Sequence, residues 1–424
     1  MLNELFQQAR ALPSVSQPAA LEFGEKAVLI AEQVNEKIKD SPNCSRLIGQ
    51  NSLEVMQDNH FYHAIFMSNV LQLGLYEMLV KMVLWVYRTY SNRGFSSDYF
   101  SRSLKAWREA IQDNLQDSHA REVIEIYDWL IQQHPRLVKL SKEMPTAATH
   151  APHAPHKDSI WEGLQYSAWE GLQALFLQNL LQGNSRASLQ LALNAVKSVE
   201  DVKVFYLQVI QPTMYQIGQG WEKGEVSIAQ EHLASAIISR VMSALYQDHI
   251  LAGAPAGESA GEPAKEPAGE SAGAPAGEPE IKKALITSAP NELHEIGAHM
   301  VSDFLEAGGW DVYYLGANTP VEEIRGLLHS QKPFLLAISV TMPFNLAGAK
   351  KIIEMVKGDD SLKDIKILAG GTAFNLEEGL WEKLGADGYA ADAGQALELA
   401  DKWYEYEKEG GNCQMKAREA NTEK

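Results

Sequence analysis

The segment Glu292-Leu293-His294-Glu295-Ile296-Gly297 sets a carboxylate two residues before an imidazole. A neutral histidine can ligate a metal through one ring nitrogen, and Glu292, on an extended segment, can hold the other nitrogen and raise its basicity. The stretch follows the apolar run Ala284-Leu285-Ile286-Thr287 and opens a helical pattern that continues through Met300 and Leu305. A strand therefore delivers His294 to a loop at its carboxyl end, the edge where open α/β sheets bind ligands. Read alone, these residues describe a polar loop histidine. Two further groups fall on the same edge: Ser339-Val340-Thr341 ends the third strand, and Gly370-Gly371 follows the fourth and lets a bulky ligand approach the backbone. Each has an ordinary role in strand ends and turns, so the joint placement carries the argument. Upstream, nine residues separate Trp221 from Glu231-His232. His60, Tyr62, His63, Phe66, Tyr76 and Trp85 gather rings in one helical region, where core packing is the usual role of any single aromatic.

The elements that position these residues follow from periodicity. Strands near 283–287, 311–315, 334–340, 365–369 and 388–390 alternate with helices near 295–307, 320–329, 344–357, 375–384 and 393–407, which implies a parallel, doubly wound, flavodoxin-like Rossmann sheet over 281–408. Thr319-Pro320-Val321-Glu322 reads as a capping box with proline at the first helical position. Strands one and three should be neighbours at the switch point. Four helical segments near 159–182, 185–197, 200–218 and 227–249, with short breaks, predict an antiparallel four-helix bundle over 158–251. Residues 1–144 read as an all-helical domain, globin-like in outline. One apolar run extends from Leu53 to Tyr90, and a later helix stops near Pro135. The whole is a multidomain α and α/β chain.

Two low-complexity stretches divide it. Residues 145–157 carry His150, His153 and His156 among prolines, and a solvated linker is the better reading than a metal site. Residues 252–280 repeat Ala, Gly, Glu, Ser and Pro and form a tether unable to bury a core, while 409–424 is a polar tail. The 424 residues exceed one ordinary core. With 37 basic against 55 acidic residues the net charge is −18 and no dense basic run stands out, so nucleic acid is not an expected partner. Only Cys44 and Cys413 are present, and no apolar run is long enough for a membrane span, which predicts a cytoplasmic protein.

His294 with Glu292, followed by Ser339, Thr341 and Gly370-Gly371, resembles the cobalamin-binding Rossmann-like domain of methionine synthase, corrinoid methyltransferases and light-responsive repressors. The resemblance implies His294 as lower axial cobalt ligand, Glu292 as its hydrogen-bonding support, and Gly297, Ser339, Val340, Thr341, Gly370 and Gly371 around the displaced nucleotide tail. Glu292 stands where aspartate is commoner. Trp221, Glu231 and His232 match the spacing of the CarH-like adenosylcobalamin photoreceptors, which implies contact with the upper face of the corrin and its adenosyl group. Those repressors have a histidine directly after the tryptophan, where this chain has Glu222, leaving His232 as the nearest substitute; they also carry a DNA-binding domain where this chain has helices.

The N-terminal helical domain resembles that of photocobilins, which implies a biliverdin site near His60, Tyr62, His63, Phe66, Tyr76 and Trp85. The resulting expectation is a light sensor and not an enzyme: adenosylcobalamin bound between bundle and sheet, a light-dependent homo-oligomer, and an output partner the sequence does not name. The alternative is a corrinoid protein carrying methyl groups for a partner methyltransferase, which needs an upper face open to partners.

Overall fold

The computed structural model describes residues 1–143, 166–252 and 281–409. The two expected linkers, the start of the first bundle helix and most of the polar tail lie outside the described residues.

The N-terminal segment forms helices α1 (Leu2–Arg10), α2 (Gln17–Lys39), α3 (Cys44–Ile48), α4 (Leu53–Leu73), α5 (Tyr76–Asn92), α6 (Ser97–Asn114) and α7 (Asp117–Glu143). The run expected as one element from Leu53 to Tyr90 is two helices, because Gly74 takes a left-handed φ of 65° and closes α4. The α4–Gly74–α5 segment that results is central to the site. The helix expected to stop near Pro135 instead runs on to Glu143. Pro135 is exposed, where water can satisfy the carbonyl that loses its helical partner. Helices α1 and α2 were not resolved individually by the periodicity; α2 begins with Ser16 at its N-cap and a proline in its first turn.

A second helical unit contains α8 (Tyr166–Leu181), α9 (Ser185–Ala195), α10 (Val199–Phe205), α11 (Gln211–Lys223) and α12 (Ile228–Leu245). A π-helical turn, Tyr206–Ile210, joins α10 to α11 without a break, and a second, Tyr246–Leu251, extends α12. Phe176, Phe205, Val209, Ile237, Val241 and Leu245 build its core, which continues into Met300 and Phe304 of the sheet domain.

The sheet domain comprises β1 (Lys283–Ser288), α13 (Ile296–Ala307), β2 (Asp311–Tyr314), α14 (Val321–Gln331), β3 (Leu335–Ser339), α15 (Leu346–Lys357), β4 (Lys366–Gly370), α16 (Leu380–Leu384), β5 (Gly388–Ala390) and α17 (Ala393–Lys408). All strand pairs are parallel, in the order β2-β1-β3-β4-β5. Central strands covered on both faces need continuous apolar runs, as in Ala284-Leu285-Ile286 and Leu335-Leu336-Ala337-Ile338. Helices α13 and α17 cover one face; α14, α15 and α16 cover the other, where the apolar core is continuous with that of the N-terminal helices.

Local expectations differ at two points. Thr319 does not cap α14: its hydroxyl donates to the Leu315 carbonyl, and Pro320, which has no capping side chain, precedes the helix. The helix expected over 375–384 is a 3-10 turn, Thr372–Leu376, and the short α16, separated at Gly379 with φ 70°.

Candidate cobalamin site

Strands β1 and β3 are adjacent, and Ser288, Ser339 and Gly370 lie in register across β1, β3 and β4. This is the switch point, from which the β1–α13 connection rises in one direction and the β3–α15 connection in the other. Glu292, fully buried, bridges the two. Its Oε1 accepts from the backbone of Leu293 and His294 at 3.1 Å and meets His294 Nδ1 at 2.5 Å. Its Oε2 accepts from the backbone of Thr341 at 3.0 Å and Met342 at 2.9 Å, and from Asn345 Nδ2 at 3.0 Å. Burial alone would raise the Glu292 pKa, but His294 and these donors hold it down at about 2.

His294 is thus fixed through one nitrogen. No hydrogen-bond partner for Nε2 appears among the described residues, and half of the side-chain surface is exposed. Burial disfavours the charged ring, yet contact with Glu292 and the field of Glu231 outweigh it and raise the pKa. Glu231, at the start of α12, is therefore near enough for its charge to act on the imidazole.

The other expected tail-pocket residues divide. Gly371 has φ 95°, and a Cβ there would lie 2.4 Å from the Val340 carbonyl oxygen, so only glycine fits. A Cβ on Gly370 would press on Ala390 O at 3.3 Å. Gly297 is not sterically required: the nearest atom, Ser339 Oγ, is 3.9 Å from its hypothetical Cβ. Ser339 and Thr341 are half-buried at the edge, whereas Val340 is fully buried in the sheet core and contributes backbone bonds to Gly370 and Ala373. A polar edge with an unpartnered imidazole nitrogen and a backbone cradle that excludes Cβ fits a bulky metal-bearing ligand.

Trp221 ends α11. Arg93 lies over its ring at 4.2 Å and donates to its carbonyl at 2.8 Å, while the Trp85 ring stacks at 6.1 Å. Glu222 is buried and paired with Arg88 of α5, and Asn92 donates to its carbonyl at 3.1 Å. The position that differs from the repressors is therefore an interdomain anchor. His232 is 75% exposed, and its Nδ1 meets the carboxylate of adjacent Glu231 at 2.6 Å.

Most of the residues expected around a bilin pack within the helical interior, and Tyr62 is exposed. His60 Nδ1 meets Asn35 Oδ1 at 2.6 Å, and its Nε2 meets the Tyr99 and Ser103 hydroxyls at 2.9 and 3.2 Å. Both ring nitrogens are engaged, and burial lowers its pKa to about 3. His63 bonds the Tyr127 hydroxyl and packs on Trp107. Phe66 is buried, Tyr76 donates to Pro13 O, Tyr62 stacks on Phe344, and Trp85 turns to Trp221.

Sequence reasoning missed Asn345, read as part of a helix, and the contacts that seat the second helical unit. Tyr206 donates to Asp303 Oδ2 at 2.6 Å and Tyr246 to Glu306 Oε2 at 2.5 Å, each tyrosine opening a π turn. Arg93 was read only as part of the helix-ending Asn92-Arg93-Gly94, without its contact to Trp221.

Two distinct models, each described as a B12 binding domain, match residues 282–398 and 172–246. Dimethylamine corrinoid protein 1 of Methanosarcina mazei is 28% identical over 110 residues, 26% of this chain and 50% of the relative. The chain spans about half the length of the curated relatives it matches. Among solved structures, the monomethylamine corrinoid protein of Methanosarcina barkeri aligns at 18% identity over 55% of this chain and 99% of that one, with TM-score 0.43. A methanol:cobalamin methyltransferase complex from the same organism aligns at 16% over 59% and 88%, with TM-score 0.28. The light-sensor expectation is corrected, because the matched relatives are corrinoid proteins. The light-dependent homo-oligomer falls with it, since it was expected only as part of that light sensor. Both sides of the crevice match B12 binding domains, which supports cobalamin as the cofactor of this chain.

Proposed function

We propose that this chain holds cobalamin between the helical unit 166–252 and the sheet domain, and carries methyl groups for a partner methyltransferase. The observation that carries the reading is the Glu292–His294 pair at the switch point, whose carboxylate fixes one ring nitrogen and leaves Nε2 for cobalt. His294 would hold the cobalt through Nε2. Gly370 and Gly371 with Ser339 and Thr341 would border the nucleotide tail, and Trp221 and Glu231 would face the corrin from the helical unit. Bound cobalamin supplies a cobalt able to accept and release a methyl group, chemistry that belongs to the cofactor. The chain's own residues bind, orient and shield. Glu292 holds the imidazole in one tautomer, with the proton on Nδ1, and raises the basicity of Nε2.

The relatives named for dimethylamine support a methyl rather than an adenosyl upper group. Biliverdin has no part in this reading, because both His60 nitrogens are engaged within the domain. The test is purification of the full chain with methylcobalamin, followed by absorption spectroscopy and addition of a corrinoid methyltransferase with a thiol acceptor. Stoichiometric binding and methylated thiol are expected. A chain that retains no methylcobalamin, or retains it without transfer, would overturn the proposal.

A further inference from the structure

Helices α4 and α5 of the N-terminal domain, joined at Gly74, touch both the helical unit and the sheet edge. Its α5 end grips the helical unit at Trp221 and Glu222 through Arg93, Trp85, Arg88 and Asn92. On the sheet edge, Asn69 of α4 donates to the carbonyls of Pro343 and Phe344, both at 3.1 Å, and Tyr62 stacks on Phe344 at 4.6 Å. Lys81 of α5 donates to the Leu376 carbonyl in the loop after β4. One segment thus bridges the helical unit and the loops after β3 and β4.

The grip reaches the candidate ligand through a single carboxylate. Glu292 holds Met342 and Asn345 from one side of the 342–345 turn, and Asn69 holds Pro343 and Phe344 from the other. Movement of that turn is felt both by the partner of His294 and by the N-terminal domain.

Resting on the carrier reading above, we infer that the α4–α5 segment is a strap that locks the helical unit onto the sheet and keeps the crevice closed to methyl acceptors until it is released. A carrier must open its upper face to transfer, and a body fastened to both crevice walls opposes that opening. The strap is part of the same chain, so its closing contact needs no partner, and an arriving methyltransferase competes with it for the rim.

The experiment uses the full chain loaded with methylcobalamin and dithiothreitol as the methyl acceptor. It compares wild type with Asn69→Ala/Arg93→Ala, which removes one grip on each wall. With bound cofactor equal in both, the double variant is expected to lose the methyl group about tenfold faster, within the usual range of coupling between sites. Equal rates would overturn the strap. Asn69→Ala alone, which removes only two hydrogen bonds, takes its place if circular dichroism shows the double variant unfolded. Hydrogen exchange gives a readout independent of the cofactor: amides of 84–93 and of 342–346 should lose protection together in the variant, and unchanged protection at either segment overturns the coupling. Failure of the wild type to retain methylcobalamin is a different result, which refutes the carrier reading itself.

Discussion

Both oxygens of Glu292 are occupied, and charge is what its neighbours recognise. The folded carboxyl is held at about 2 against an ordinary 4.5, so the ionised group stabilises the fold by on the order of 3 kcal/mol at neutral pH. Because the folded pKa is lowered, this contribution is present above about pH 4.5 and is lost as the pH falls toward 2. Urea denaturation across that range should show a slope that Glu292→Gln flattens. The same variant should lower the His294 pKa, read by the imidazole resonances of the cofactor-free chain, and weaken cobalamin binding roughly 10–100-fold, the usual cost of losing such a support. His294→Ala should abolish the axial-ligand signature in the absorption spectrum. At Gly371, any side chain meets both a left-handed backbone and the Val340 carbonyl; Gly371→Ala should cost at least about 1–3 kcal/mol in thermal or urea unfolding. The Glu292–His294 pair was legible in the sequence because two residues of extended chain bring carboxylate and imidazole together locally. His60 was not, since its partners Asn35, Tyr99 and Ser103 come from distant helices.

Among the elements, alternating strands and helices announced the sheet and its order, because parallel strands buried on both faces must be continuously apolar. Breaks were harder to see. Gly74 divides α4 from α5 although apolar spacing continues on both sides, and Pro135 fails to end α7 because its face is wet. The π turns left no periodic mark, yet each aims a tyrosine at α13. Asp303, at one of these contacts, has burial and neighbouring Glu306 raising its pKa to about 7 from 3.8, against the opposing bond from Tyr206; His299 lies 3.6 Å from it, and Tyr246 and Tyr314 lie within the reach of its charge. A carboxyl with a raised folded pKa contributes stability that is full below pH 3.8 and lost as the pH rises through about 7. The docking of the helical unit should therefore weaken as the pH rises from about 3.8 to about 7 and change little above that. Hydrogen exchange along α10–α11 at several pH values checks this, and Asp303→Asn should remove the dependence.

At the scale of the molecule, three helical or mixed bodies share cores rather than merely touching. The apolar interior of the N-terminal helices continues into the α14–α15 face of the sheet, and that of the second helical unit continues into α13. Breaking one partner of a buried ion pair typically costs about 3–5 kcal/mol, so Glu222→Ala should destabilise the assembly by that order in urea unfolding. Low-complexity stretches mark the expected boundaries in the sequence; the docking has no such mark. Arg88, Arg93 and Asn69 look like ordinary helix-surface residues until chains more than a hundred residues apart meet. No helix among the described residues is long and apolar enough to cross a membrane.

The residue after Trp221 illustrates how such docking restricts sequence drift. With Glu222 enclosed against Arg88, a change to histidine would take away the carboxylate that this buried guanidinium pairs with, so the two positions should change character together. Proteins that keep the helical unit and the sheet but lack these N-terminal helices are released from that bond. Position 222 should therefore covary with position 88 wherever the N-terminal helices occur, and wander freely where they do not.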